Sequence, residues 1–319
     1  MDLLPIHAHM EGRFLCQSII QHSYSLFPST HRIKQPRQVM RHVPTMLPRR
    51  ALYIRASPSN RVERIYPRAI LVLAPQKSAL ACRRGETAYC QNPIMTGITS
   101  DGGYAEVMIA EARALALIPD ELESVDAVPL VCAGITTFNA LRNAGRAGDT
   151  VAIQRIGGLG HLGVQFARKM GFRTVAIGGG PDKEHLATKL GAHVYIDAKA
   201  EDAAAALQKL GGANVILATA PSGSVIGSLL PGLAVRGKLV VVGVSDDAIP
   251  LTGVPLVFGG RSVVGSLTGR AIETQDTLDF SVLAEVRPMI ETLPLAKAEE
   301  AYKRMMEGKG RFRMVLTIT

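Results

Sequence analysis

Between Asp149 and Gly171 the chain reads DTVAIQRIGGLGHLGVQFARKMG, and its glycines are spaced for handling phosphate. Gly157, Gly158 and Gly160 follow a β-branched apolar run, Thr150 to Ile153. They precede Leu162, Val164, Phe166, Ala167 and Met170, which recur at helical spacing until Gly171 closes the helix. Strand, glycine turn and helix in that order suit a pyrophosphate, because glycines let the backbone come close and the free N–H groups of the helix start hold the charge. Gly157, Gly158, Leu159 and Gly160 would form the turn, with His161 and Leu162 opening the helix. His161 equally suits a solvent-facing place in that first turn. The G-x-G-x-x-G fingerprint is incomplete, since position 155 is Arg155, which either crowds the turn or points a cation at phosphate.

A dinucleotide site of this kind places Asp or Glu about 20 residues after the loop, where it binds the ribose 2′-OH. Here the second strand ends in Gly178-Gly179-Gly180-Pro181, with no acid at its tip. A 2′-phosphate is not repelled there, and Lys183 is near enough in sequence to attract it. NADP is therefore favoured over NAD, with a solvated surface position as the alternative for Lys183.

The elements that must position these residues alternate after the loop. Strands are expected at Arg173 to Gly178, His193 to Asp197, Asn214 to Ala220, Lys238 to Val244 and Ser262 to Leu267. Helices are expected between them at Asp182 to Leu190, Glu201 to Leu210 and Ser224 to Ala234. Nearly continuous apolar strands separated by amphipathic helices imply an α/β fold, a doubly wound parallel sheet with its ligand crevice at the strands' carboxyl ends. Helices at Asp276 to Ala284 and Leu295 to Met306 and a strand MVLTIT would finish the chain. Before the loop, DGGYAEVMIA predicts a strand from Tyr104 to Ile109, and PLVCAGITTFNAL a helix through Cys132 and Thr136 to Leu141.

Composition divides the chain unevenly. The net charge of +9 belongs to residues 1–80, which hold 12 of the 36 Lys and Arg but 3 of the 27 Asp and Glu. From position 81 onward basic and acidic residues balance. The first 80 residues also hold one glycine, Gly12, of 31, yet 8 of the 18 prolines. That glycine poverty argues against a β-rich domain there, and disorder or poor packing is the physical expectation. An acid-poor, Arg-rich start also resembles an organelle transit peptide. A nucleic-acid arm would carry Lys runs or regular aromatics, which are missing. No apolar run is read as a membrane span, and four cysteines in 319 residues do not make a disulfide scaffold, so the cytoplasm is the expected compartment.

From about Ala81 to Thr319 the chain resembles the medium-chain, zinc-dependent alcohol dehydrogenase family. CRRGETAYC followed by DGGYAEV is similar to the end of that family's structural-zinc lobe. PLVCAGITTFNAL is similar to the helix that brings a catalytic-zinc cysteine under the nicotinamide, IGGLGHLGVQFARKMG to its cofactor loop, and GRFRMVLT to its C-terminal strand. The resemblance implies a Rossmann-type sheet with remnants of a GroES-like β-rich catalytic domain. Domains would then run over 1–79 (an atypical basic segment, disordered or frame-shifted), 80–140 (catalytic-domain remnant and linking helix), 141–270 (dinucleotide-binding) and 271–319 (helices and a strand returning toward the catalytic domain).

The resemblance also implies roles. Cys132 matches a catalytic-zinc ligand, and Thr136, one turn on, a residue against the nicotinamide. Val244, Ser266 and Leu267 match backbone positions at the carboxamide, and Arg313 a basic residue near the cofactor phosphates, with an exposed strand arginine as the alternative. Cys82 and Cys90 match the last two of four structural-zinc thiolates, while the first two would fall on Gln76 and Ala79. The other catalytic-zinc turns, G-x-C-H-[ST]-D and G-H-E, are not found upstream; Cys16 lies in LCQSII. The implied reaction is hydride transfer between a small alcohol and an aldehyde or ketone, with NADP (or NAD) and zinc as the family's cofactors, in a possible homo-oligomer without membrane or nucleic-acid partners. The alternative is a catalytically impaired remnant that binds dinucleotide but lacks most zinc ligands.

Overall fold

In the computed structural model, residues 10–11, 51–57, 68–70, 73–74, 80–95, 97–98, 101–105, 107–111 and 114–318 are described. Six strands form the central sheet: β1 (Thr150–Gln154), β2 (Arg173–Gly178), β3 (Val194–Asp197), β4 (Ala213–Ala218), β5 (Leu233–Val241) and β6 (Ser262–Gly265). Their spatial order is β3-β2-β1-β4-β5-β6, and every neighbouring pair is parallel. The order reverses between β1 and β4, which opens a crevice at the carboxyl ends of those two strands.

Alternation along each strand feeds two separate cores. Val151 and Ile153 of β1 face the layer of α1 (Ser124–Arg142) and α2 (Gly160–Lys169), packing with Phe138, Leu162 and Phe166. Ala152 between them faces the opposite layer, with Ile177, Ile216 and Leu239, and there meets Leu207 of α4 (Ala203–Lys209) and Ile226 of α5 (Gly223–Gly227). The short helix α3 (Glu184–Lys189) joins β2 to β3. Each such aliphatic side chain is worth about 1.5–3 kcal/mol on burial, which is why the strands read as unbroken apolar runs. Phe138, Phe166 and Phe280 pack ring on ring at 5.1–6.0 Å, tying α1 and α2 to α7 (Ala271–Leu283).

Helix α1 has the length and apolar content to cross a membrane, against the expectation that no run would reach that size. Its most apolar window is 78% buried inside the protein, so the apolarity is that of a core helix. Pro129 lies within it, lacks an N–H, and is followed directly by a widened π turn, Leu130–Gly134.

The tail holds α8 (Ala298–Met306) and a parallel pair, β7 (Ile290–Pro294) and β8 (Arg313–Thr317), which packs through Val315 and Leu316 on Val128 of α1. Before α1, short antiparallel pairs join Ala51–Ser57 to Val107–Glu111, Arg68–Ile70 to Leu115–Leu117, and Leu73–Ala74 to Ile94–Met95. Most of residues 1–79, and with them the expectation of disorder there, lie outside the described residues.

Several boundaries differ from expectation. The strand expected from Tyr104 runs from Val107 to Glu111. The helix expected from Ser224 to Ala234 stops at Gly227, because Pro231 cannot continue it. Gly232 instead packs so closely on α4 that a Cβ would lie 2.9 Å from Leu207. Strand β5 consequently starts at Leu233 and ends at Val241, not Val244. Its early part is irregular, with Arg236 in the left-handed region at φ 61°. Helix α6 (Gly253–Gly259) and strand β7 were not expected at all.

Candidate functional site

The glycine turn lies where the sheet order reverses. Arg155, the residue in place of the first fingerprint glycine, has φ 65°, the conformation that a glycine adopts without cost. Its N–H donates to the Ile177 carbonyl at 2.8 Å, and its own carbonyl accepts from Gly157 N at 3.1 Å and from Thr219 Oγ1 at 3.3 Å. Arg155 is thus accommodated without a change of turn. Gly160 is required by packing, since a Cβ there would lie 1.9 Å from the Arg155 carbonyl oxygen. Gly157 is not, for a Cβ on it would meet nothing within 4 Å. The space beside Gly157 is therefore open. Among the described residues, the N–H groups of Gly158 and Leu159 donate to no backbone carbonyl, so both remain available at the start of α2. These features fit a pyrophosphate.

His161 does not face solvent. It is fully buried behind the turn, with Nδ1–H donating to the Gly157 carbonyl at 2.8 Å and Nε2 accepting from Met289 N at 3.1 Å. Those two partners fix the tautomer, because one is a carbonyl and the other an N–H. Burial, reinforced by the Arg313 charge, lowers the imidazole pKa to about 3, so it stays neutral. Leu162 is likewise buried, its side chain in the core on β1. Both residues support the turn from beneath and do not line its open face. Arg313 is also buried, which removes the exposed-arginine alternative, and its Nε donates to the Gly158 carbonyl at 3.0 Å. The tail therefore clamps the turn at two points. Only tertiary contact brings Met289 and Arg313 there, and the sequence carried no signal for the first of them.

At the tip of β2 the Gly178–Gly180 segment is held by β3. Asp197 Oδ1 accepts from Gly180 N at 2.7 Å and from Lys199 N at 2.9 Å, and Tyr195 Oη donates to the Gly180 carbonyl at 2.6 Å. The Asp197 carboxyl is held below its ordinary range, first by the Gly180 N–H. Lys183 closes the following turn, Pro181–Lys183. The stem of Lys199 runs 3.5–3.9 Å from where a Cβ of Gly179 would be, so a second cation flanks the tip. Sequence reading missed Lys199 and Tyr195 because Tyr195 arrives from the next strand and Lys199 from the turn that follows it.

Cys132 is buried in the π turn of α1, and Thr136 Oγ1 donates to its carbonyl at 2.7 Å. Val244 lies beyond the end of β5, while Ser266 and Leu267 directly follow β6, with Ser266 N donating to Val241 O at 3.0 Å. Cys82 is half-buried in the short helix Leu80–Arg83, and Cys90 is buried after the turn Thr87–Tyr89. Among the described residues, no group of three or more His, Cys, Asp or Glu could hold a metal. Cys132, or Cys82 with Cys90, does not fit a three- or four-ligand zinc site with described neighbours alone.

Known proteins place this architecture. An alcohol dehydrogenase of Penicillium expansum, patD, is 44% identical over 239 residues, covering 75% of this chain and 70% of that protein. The chain belongs to the zinc-dependent alcohol dehydrogenase family. A family pattern described as zinc-binding dehydrogenase matches residues 158–283. An alcohol dehydrogenase of Geobacillus stearothermophilus is 37% identical, over 74% of this chain and 70% of that protein. The solved alcohol dehydrogenase of Aeropyrum pernix superposes with TM-score 0.72 at 28% identity, over 80% of this chain and 77% of that one. As a zinc-type alcohol dehydrogenase the chain is an oxidoreductase that transfers hydride between an alcohol and an aldehyde or ketone with a nicotinamide cofactor. These relatives do not favour the alternative of a non-catalytic remnant.

Proposed function

We propose that the chain uses NADP in preference to NAD. The carrying observation is the β2 tip: no acid stands at Gly178, Gly179 or Gly180, and Lys183 and Lys199 flank it. A 2′-phosphate has about two negative charges to satisfy, and two nearby ammonium groups supply the complement. Three carboxylates, Asp182, Glu184 and Asp197, also border this loop, but Asp197 is engaged by two backbone N–H groups.

When bound, the nicotinamide supplies the hydride acceptor or donor. The chain's own work is to hold it. The N–H groups of Gly158 and Leu159 bind pyrophosphate, while His161 and Arg313 keep the turn in shape. The carboxamide meets the backbone of Val244, Ser266 and Leu267, and Thr136 packs against the ring from α1. The substrate is a small alcohol or aldehyde. A homo-oligomer is supported by α6 at the edge strand β6, where Phe258 is 87% exposed with Val254 and Val257 beside it. The balanced charge after residue 80 argues against nucleic acid as a partner of that part of the chain.

Fluorescence titration with NADPH and NADH tests the cofactor reading. Tighter NADPH binding is expected, with Lys199→Ala weakening NADPH by about tenfold and NADH little, as one phosphate contact is lost. Tighter NADH binding overturns it.

A further inference from the structure

We infer that Tyr195 takes the place of the ribose-binding acid at the end of β2 and thereby sets which dinucleotide the site accepts. This rests on the dinucleotide reading of the site given above. Gly178 is the last residue of β2, where the fingerprint puts its carboxylate. Its backbone is ordinary strand, in register with Asp197 of β3, and would allow any side chain. What forbids one is Tyr195: a Cβ on Gly178 would lie 2.3 Å from Oη, 2.7 Å from Cε2 and 2.8 Å from Cζ. The glycine at 178 and the tyrosine at 195 are therefore one feature seen from two strands.

The phenol is not free to swing away at no cost. Its O–H donates to the Gly180 carbonyl, while Asp197 holds the N–H of the same residue. The loop that borders the ribose is pinned from both sides by β3. The Oη lone pairs remain to accept a hydrogen bond at the spot a carboxylate would occupy. Burial, with Asp197, Asp182 and Glu184 nearby, raises the phenol above its ordinary range, so the group presents no charge at neutral pH. A neutral hydroxyl gives the NAD ribose a weaker hydrogen bond than a carboxylate does, and it does not repel a 2′-phosphate. Lys183 and Lys199 on either side then tip the balance to the phosphate.

The test is a double-mutant cycle of Gly178→Asp and Tyr195→Ala, read by thermal denaturation without cofactor and by fluorescence titration with NADPH and NADH. Gly178→Asp alone should lower Tm by roughly 3–10 °C, as overpacking of this size does, and leave the dinucleotide preference nearly unchanged. Adding Tyr195→Ala should recover part of that loss and move the NADH-to-NADPH affinity ratio about tenfold toward NADH relative to Tyr195→Ala alone. The inference is overturned if the double variant melts as the sum of the singles predicts. It is equally overturned if Gly178→Asp by itself shifts the preference as far as the double variant, since the phenol would then exclude nothing. Wild-type protein that prefers NADH would sink the NADP reading without touching this one, because the cycle reads a shift in the ratio and not its starting value.

Discussion

Replacing Gly160 by alanine should damage the fold more than its single methyl group suggests. The new Cβ would sit 1.9 Å from the Arg155 carbonyl oxygen and 2.9 Å from its carbon, where ordinary contact begins near 3.4 Å. The turn and the start of α2 must then part by about 1.5 Å, in an interior packed to crystal density. The oxygen cannot rotate aside easily, because Gly157 N and Thr219 Oγ1 both bond it and Arg155 already sits at φ 65°. Overpacking costs typically about 1–3 kcal/mol, and a backbone obstacle puts this case at roughly 3 kcal/mol or above. For a domain of this size that is a fall in Tm of about 6–12 °C. Two controls isolate the cause. At Gly163 a Cβ would approach only side-chain methyls, 3.2 Å from Ile153 Cγ2 and 3.3 Å from Leu217 Cδ2, so alanine should cost much less. At Gly157, where nothing lies within 4 Å, alanine should leave Tm within about 1–2 °C yet weaken dinucleotide binding, because the methyl would enter the space proposed for the phosphate. A Gly160→Ala protein that melts with the wild type, or a Gly157→Ala protein that melts with Gly160→Ala, would refute this account of the turn.

Arg155→Gly should raise stability by about 0.5–1 kcal/mol in urea denaturation, since the left-handed cost to an L residue exceeds the entropy glycine adds to the unfolded chain; a loss would mean the arginine side chain has a stabilising partner. Acid should destabilise the protein through His161: the unfolded imidazole titrates near its ordinary 6.5 and the folded one at about 3, so between these values the unfolded state binds more protons. Stability is then lost as pH falls below about 6.5, at up to ~1.4 kcal/mol per pH unit, and His161→Gln should flatten that slope; an unchanged slope would contradict the buried neutral assignment. Arg313→Leu deletes the bond to the Gly158 carbonyl and should weaken dinucleotide binding by about tenfold in titration, with unaltered binding counting against the clamp.

Much of the fold was legible along the chain. The strand Arg173–Gly178 falls where its β-branched run predicts it, and β1 and β4 agree to within about two residues, because strands buried on both faces must be apolar throughout. The half-buried edge strand β3 agrees to within about one residue. The turn at Gly157–Gly160 was legible for the same kind of reason, a local conformational demand written in residue type. Strand β5 was harder. Its Arg236 and Gly237 break the apolar run, so only its second half announces itself.

By itself, then, the sequence determined the alternation of strands and helices, the glycine turn between β1 and α2, and the family resemblance from about Ala81, since each is a property of neighbours in the chain. It also determined that no acid stands at the β2 tip. Only the tertiary structure decided that His161 turns inward to meet Met289, that Arg313 reaches Gly158, and that Tyr195 and Lys199 border Gly178 and Gly179. Those contacts join residues up to 155 positions apart. They follow from the sheet order β3-β2-β1-β4-β5-β6, which lays the neighbouring strand beside the tip, and from the tail strand β8 returning to the glycine turn. Residue type records what a position tolerates locally, whereas the partner that completes a polar group is chosen by where distant elements pack.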